Sequence, residues 1–296
     1  MSSRTGARLG QHFLKHVWAA RSLAHAAAPR PGETILEIGP GKGILTKELL
    51  TLGPVIAIEK DEALVEQLRE TFAEEIASDK LRLFIGDVRD VVIEQEPGKT
   101  VPDARRGDGG TRDVLERTVS VTLRLRNNAD GIVLNGGYVV AANIPYYITG
   151  EIIRQFLTTD VQPRAMALLI QKEVAQRITD SKESILSLSV KAYGVPRIVE
   201  KVSRTNFSPP PSVDSAILLV SDISKHFFSD TREQDFFTVV KAGFASKRKM
   251  LSNNLSVAYE KNQVLDALTH CEISEKARAE DVPLEKWKCL TKMLTR

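Results

Sequence analysis

Short apolar runs recur through the first two thirds of the chain, at Thr34–Ile38, Val55–Ile58, Leu81–Ile85, Val139–Ala142 and Ala165–Ile170. Each is rich in β-branched or other apolar residues and too short for a helix, which predicts buried strands. Amphipathic stretches such as Glu62–Glu75 and Glu151–Leu157 lie between them. That alternation predicts βαβ units and a parallel sheet covered by helices on both faces. Ile198–Val202 and Ser215–Val220 follow with no helix between them, which predicts an antiparallel pair closing one edge. From about Asp222 helical spacing takes over, at Phe236–Phe244, at Lys247–Ala258 and in a last helix from Pro283 that sets Leu284, Trp287, Leu290 and Leu294 on one side. The pattern predicts an α/β domain over residues 1–221 and a small helical domain over 222–296.

One region interrupts the alternation. Between Asp90 and Tyr138 lie 47 residues, long for a structureless loop in a compact domain. Val119, Val121, Leu123 and Leu125 alternate with Ser120, Thr122, Arg124 and Arg126, and a turn at Asn127–Gly131 precedes Ile132–Leu134. This predicts a β-hairpin inside an insert spanning about 94–137, after a disordered lead from about Pro97 to Gly110. Seven basic residues oppose four acids from Lys99 to Arg126, so the insert is expected to form a flap that contacts nucleic-acid phosphates.

Charge is uneven although the net formal charge is only +3. Residues 1–32 carry Arg4, Arg8, Lys15, Arg21 and Arg30 and no acid, whereas Glu59–Asp79 holds eight acids against Lys60 and Arg69. Lys241, Lys247, Arg248 and Lys249 form a second basic cluster without a carboxylate up to Asn254, read either as a phosphate-binding patch or as solvated helix surface. The two cysteines, Cys271 and Cys289, have no His or Cys neighbours at ligand spacing, so neither a disulfide framework nor a zinc site is expected. No apolar run approaches eighteen residues, and a cytoplasmic, soluble protein is expected, with no metal and no membrane partner.

Chemistry concentrates at strand ends. Asn143-Ile144-Pro145-Tyr146 follows the apolar run at Val139–Ala142 and suits the gripping of a flat base with an exocyclic amine; taken alone it also reads as a strand end entering an Asn-x-Pro turn. Glu37-Ile38-Gly39-Pro40-Gly41-Lys42-Gly43 follows the first strand, where glycines let the backbone approach a ligand. Dinucleotide-binding turns place the third glycine at what is here Ile44. Glu59 ends the second strand, either to accept from ribose hydroxyls or as a helix-cap acid, and Asp87 with Val88 ends the third, placed for an adenine amino group and ring.

The chain resembles the ribosomal RNA adenine dimethyltransferases, and most closely their small-subunit branch, the kasugamycin-resistance dimethylases. The resemblance rests on Leu9-Gly10-Gln11-His12-Phe13-Leu14, Glu37–Gly43, Glu59, Gly86-Asp87, Asn143–Tyr146, Gln171-Lys172-Glu173-Val174, Phe207-Ser208-Pro209-Pro210-Pro211 with Val213-Asp214-Ser215, and Phe244–Leu255. It implies a class I S-adenosylmethionine-dependent methyltransferase sheet of Rossmann-like type with a small C-terminal helical domain. It further implies that Gln11, His12, Leu14, Glu37, Gly39, Gly41, Gly43, Glu59, Lys60, Asp87, Val88 and Asn143 meet S-adenosylmethionine. Read without the family, His12 is a surface histidine and Leu14 plain core.

By the same resemblance Asn143 and the Ile144 carbonyl orient the target amine, Pro145 stiffens the backbone, and Tyr146 and Phe207 stack on the flipped adenine; Phe207 reads alternatively as a hydrophobic plug. Positioning for in-line displacement carries the reaction, and no strong general base is required. The implied reaction places four methyls on two adjacent adenines near the 3′ end of small-subunit ribosomal RNA during ribosome biogenesis. Lys241, Lys247, Arg248 and Lys249 would bind RNA, and the protein would act as a monomer. Rival readings are a large-subunit RNA, DNA or small-molecule methyltransferase and a non-catalytic ribosome assembly factor.

Overall fold

The computed structural model describes residues 12–95, 121–125, 132–134 and 137–295. Strands run β1 (Phe13–Leu14), β2 (Thr34–Ile38), β3 (Val55–Glu59), β4 (Leu81–Ile85), β5 (Val91–Gln95), β6 (Val121–Leu125), β7 (Ile132–Leu134), β8 (Tyr138–Asn143), β9 (Met166–Gln171), β10 (Val195–Val202), β11 (Phe207–Ser208) and β12 (Ser215–Ser221). Seven of them form the main sheet in the order β10-β12-β9-β8-β2-β3-β4. Neighbours from β4 through β9 pair parallel, and β12 and β10 close the edge antiparallel. Both the parallel sheet and the antiparallel edge agree with the expectation from sequence.

Alternate residues of the strands feed two cores. Ile35, Val55, Ala57, Val139, Ala141, Ala167 and Leu169 face helices α1 (Val17–Ala27), α2 (Ile44–Leu49) and α3 (Glu62–Thr71). Leu36, Ile38, Ile56, Ile58, Val140, Ala142, Leu168 and Ile170 belong to the opposite core, with residues of α5 (Thr149–Thr158), α6 (Lys172–Thr179) and α7 (Ile185–Lys191). A period of two in a strand sends successive side chains to opposite faces, so both faces are apolar and the strand reads as a continuous apolar run. The amphipathic stretch expected at Glu62–Glu75 is broken at Phe72, after which α4 (Ala73–Ala77) begins. Phe72 is buried, and its ring lies against the backbone of Gly43.

The insert contains the expected hairpin, β6 with β7, and one strand more. β5 pairs antiparallel with β6, making a three-stranded sheet whose first strand starts at Val91, ahead of the boundary expected near 94. Val91, Ile93 and Leu123 are buried in the same core as α5, so the sheet is anchored on the body of the protein. The turn at Asn127–Gly131, Val119 and the lead from Pro97 to Gly110 lie outside the described residues.

After β12 every described element is helical: α8 (Glu233–Gly243), α9 (Leu251–Leu255), α10 (Lys261–His270) and α11 (Leu284–Leu294). Their buried residues, among them Phe236, Val239, Leu251, Leu268, Trp287 and Leu290, continue the core that reaches the sheet. The helix expected over Lys247–Ala258 shrinks to α9. Asn254 Nδ2 turns back to donate to the carbonyls of Gly243 at 2.6 Å and Ser246 at 2.9 Å, and this stabilises the turn between α8 and α9 instead of a longer helix. The expectation of no disulfide is also corrected: Cys271 and Cys289 are bonded, with Cα atoms 5.8 Å apart. Packing of α10 on α11 brings together two residues 18 apart, which linear spacing does not reveal.

Candidate active site

The parallel strands β2, β3, β4 and β8 all end at one rim, and a cavity of about 280 Å³ opens there. Ligands in open α/β sheets bind outside the carboxyl ends of the strands, as here. Its walls bring together His12 and Leu14, Gly39 and Gly41, Glu59 and Lys60, Asp87 and Val88, and Asn143–Tyr146. Residues separated by more than a hundred positions in sequence thus share one space.

The glycine-rich turn shapes the floor. Gly41 has φ +58°, and a Cβ there would stand 3.0 Å from the Phe13 ring, so a side chain would add backbone strain and press the ring of β1 aside by a few tenths of an ångström. The Gly41 N–H donates to Glu59 Oε2 at 3.1 Å, and Glu59 Oε1 accepts the backbone N–H groups of Lys60 at 2.8 Å and Asp61 at 3.0 Å. Three backbone donors fix this carboxylate at the end of β3. Its Oε2 holds only one of them, which leaves acceptor capacity.

Asp87 begins the short turn after β4. It accepts from Arg89 through Nε at 2.9 Å and Nη2 at 2.5 Å, and from Lys60 Nζ at 3.0 Å. The Arg89 guanidinium foremost, with Lys60 behind it, holds the Asp87 carboxyl well below the usual carboxylate range. Val88 is buried beside it, and Gln155 Nε2 on α5 donates to the carbonyls of Val88 at 2.8 Å and Val91 at 3.2 Å. Arg89 also lines the cavity; no motif in the sequence marked it.

On the opposite wall Asn143 Nδ2 donates to the His12 carbonyl at 3.0 Å. A carbonyl partner fixes the amide orientation, and no donor among the described residues engages Asn143 Oδ1. Ile144 is buried, its N–H bonded to Leu169 O at 3.2 Å, and Pro145 holds φ −57°. Tyr146 is half-buried, and its hydroxyl meets Ser215 Oγ at 2.7 Å. Burial pushes the Tyr146 phenol pKa up, against the hydrogen bond to Ser215. The His12 ring stands 5.8 Å from the Tyr146 ring, and its Nδ1 lies 2.8 Å from Pro209 O.

Three expectations change, and one is untested. Phe207 does not line the cavity: it is 1% exposed, sits opposite Leu14 in the β1–β11 pair and belongs to the core beneath α1. An apolar ring gains more from that burial than from standing in water, so the plug reading describes this conformation. Glu37 is fully buried behind the cavity wall with the Thr46 hydroxyl as its near polar neighbour, too poorly placed for a full hydrogen bond; burial pushes its pKa up to about 8, against a lowering by Thr46 and with Glu59 adding to the rise. Gly43 packs on Phe72 and Leu68 and does not open onto the cavity. Gln11 lies outside the described residues.

The basic cluster stands elsewhere. Lys241 ends α8, and Lys247, Arg248 and Lys249 occupy the turn before α9, all four exposed. Lys247 borders a second cleft, between the helical region and α6 and α7, where Glu173, Asp180, Glu183 and Glu280 outnumber Arg177 and Lys182.

Sheet order, glycine turn and cavity together define a class I S-adenosylmethionine-dependent methyltransferase fold. Two solved structures share that fold at TM-score 0.68: the 23S rRNA methyltransferase ErmE (23% identity, 96% of this chain and 100% of that one) and a dimethyladenosine transferase from Plasmodium falciparum (24% identity, 94% and 96%). The chain belongs to the ribosomal RNA adenine dimethylase family, whose description it matches over residues 3–296. It is similar to proteins named ribosomal RNA small subunit methyltransferase A. With that of Dehalococcoides mccartyi it shares 34% identity over 97% of this chain and 87% of the relative. With that of Synechocystis sp. it shares 33% over 99% and 98%. No helix among the described residues is long and apolar enough to cross a membrane.

Proposed function

We propose that the protein transfers methyl groups from S-adenosylmethionine to the N6 atoms of two adjacent adenines near the 3′ end of small-subunit ribosomal RNA, in the cytoplasm and as a monomer. The observation that carries this reading is Asn143 at the end of β8, whose amide nitrogen is held by the His12 carbonyl while no donor among the described residues engages its side-chain oxygen, next in sequence to Ile144 on the same cavity wall. Two acceptors side by side suit the two N–H bonds of one exocyclic amine. Both bonds point that amine's lone pair across the cavity.

The cavity residues fit S-adenosylmethionine, which supplies the transferable methyl on a sulfonium. Glu59 keeps an acceptor for a ribose hydroxyl, Asp87 and Val88 take the adenine edge and ring, and the glycine turn accepts close approach. Tyr146, pinned by Ser215, offers its ring to the extruded target base, a stack worth roughly 1–3 kcal/mol against an extrusion cost of a few kcal/mol. Residues 1–221 form the transferring domain, with the 94–137 insert reaching for RNA. Residues 222–296 select the RNA, with Lys241, Lys247, Arg248 and Lys249 on its phosphates.

The test incubates the protein with labelled S-adenosylmethionine and unmodified small-subunit particles, large-subunit RNA or duplex DNA, followed by digestion to nucleosides. N6,N6-dimethyladenosine from the small-subunit sample alone is expected. Label confined to large-subunit RNA, or in no sample, overturns the reading in favour of another substrate or a non-catalytic assembly role.

A further inference from the structure

Asp87 faces the cavity with its acceptor capacity already used. Oδ1 accepts the Arg89 backbone N–H at 3.0 Å and Arg89 Nε at 2.9 Å, while Oδ2 accepts Arg89 Nη2 at 2.5 Å and Lys60 Nζ at 3.0 Å. A carboxylate offers about four lone-pair positions, and four donors fill them. The proposed function needs Asp87 to accept the 6-amino group of adenine, and the present inference rests on that reading. One donor must leave for it.

The four differ in what holds them. The Arg89 N–H bond caps the short turn Val88–Asp90, and Gln155 clamps that turn through the Val88 and Val91 carbonyls, so the backbone stays. Lys60, 63% exposed, contributes a single bond and to Oδ2 alone, so its departure leaves the guanidinium fork across both oxygens. Arg89 places two parallel side-chain bonds across the carboxylate, on a side chain that is 43% exposed and can withdraw into water without disturbing the core.

We propose that Arg89 is an internal competitor for adenine. Its guanidinium occupies the nucleobase end of the cavity in the free protein, is exchanged for the adenine amino group on binding, and returns to Asp87 as the adenosyl product leaves. An exposed ion pair changes an equilibrium by a factor of about two to five, so Arg89 trades that much affinity for easier departure of S-adenosylhomocysteine. A reaction requiring repeated methyl transfers benefits from this trade. As a positioning residue it acts through Asp87 and never on the methyl.

The experiment measures S-adenosylhomocysteine, which lacks the sulfonium charge, and its analogue without the 6-amino group, by calorimetry against the full chain, Arg89→Ala and Asp87→Ala. Arg89→Ala is expected to bind S-adenosylhomocysteine about two- to fivefold more tightly at low salt, to release it correspondingly more slowly and to prefer it more strongly over the 6-deamino analogue. Added salt should tighten binding to the wild-type protein by screening the pair, and act less on Arg89→Ala, where only Lys60 still pairs with Asp87. Unchanged or weaker binding in Arg89→Ala, with the wild-type response to salt, overturns the competitor while Asp87→Ala still loses the preference for the 6-amino ligand. If Asp87→Ala retains that preference, the reading of Asp87 itself fails.

Discussion

The side chain of Asn143 and the backbone carbonyl of His12 lie 131 positions apart in sequence and are joined by a 3.0 Å hydrogen bond. The bond ties the end of β8 to the segment entering β1 and settles which way the Asn143 amide faces. Removing it therefore has two separable effects, one on the reacting amine and one on the segment that carries His12 over the cavity.

Asn143→Ala is expected to reduce methyl transfer by at least about a hundredfold, the scale on which losing one transition-state hydrogen-bonding group is felt. Cofactor affinity should fall less than about tenfold, because a net hydrogen bond is worth about 1 kcal/mol. Single-turnover transfer and calorimetric binding on the same preparation separate the two. Equal losses in both would make Asn143 a structural residue only.

Tyr146 and Ser215 form a second pair with a measurable coupling. Ser215 is fully buried, so Tyr146→Phe leaves its hydroxyl without this partner and is expected to cost about 1–3 kcal/mol of stability in urea unfolding. The double variant with Ser215→Ala should recover most of that loss. On the proposed reading, in which the ring rather than the hydroxyl meets the base, methylation of RNA should survive Tyr146→Phe and fall sharply in Tyr146→Ala.

Two glycines of one turn should respond differently. Gly39 and Gly43 both have positive φ, +67° and +79°, yet a Cβ on Gly39 meets nothing within 4 Å while one on Gly43 stands 2.5 Å from the Phe72 ring. Gly39→Ala carries the backbone strain alone, about 1–2 kcal/mol. Gly43→Ala adds a clash with a buried ring and is expected to cost about 1–3 kcal/mol more. Thermal unfolding of the two variants gives the order, and equal costs would mean that Phe72 and Leu68 yield freely.

What could be read from the chain follows from how local each cause is. Thr34–Ile38 and Leu81–Ile85 were legible to the residue as β2 and β4, because apolar strands between helices carry their burial in their own composition. The gathering of Glu59, Asp87 and Asn143 at one cavity was legible too, because each stands at the end of a parallel strand. Phe207 was not, since the same ring can stack on a base or fill a core, and only its position opposite Leu14 decides. β1 with β11 and the Cys271–Cys289 bond depend on partners distant in sequence or on elements of two residues, and Arg89, two residues after Asp87, sits in a short turn; periodicity has no signal for any of them.

Glu37 gives a dependence on pH of unusual sign. Its pKa is about 8 in the folded chain, raised by burial that outweighs the lowering by the Thr46 hydroxyl, against an ordinary value of 4.5. Between those values the folded state holds a proton that the unfolded state has released, so the contribution to stability is complete below about pH 4.5 and is lost as pH rises toward 8. The slope approaches 1.36 kcal/mol per pH unit within that window. Glu37→Gln keeps the neutral shape and removes the titration. Urea unfolding at the acidic and the alkaline ends of the window should show the wild-type protein losing roughly 2 kcal/mol or more relative to the variant as pH rises. Parallel pH profiles for the two proteins would mean that the buried carboxyl is ionised throughout and has a partner in solution.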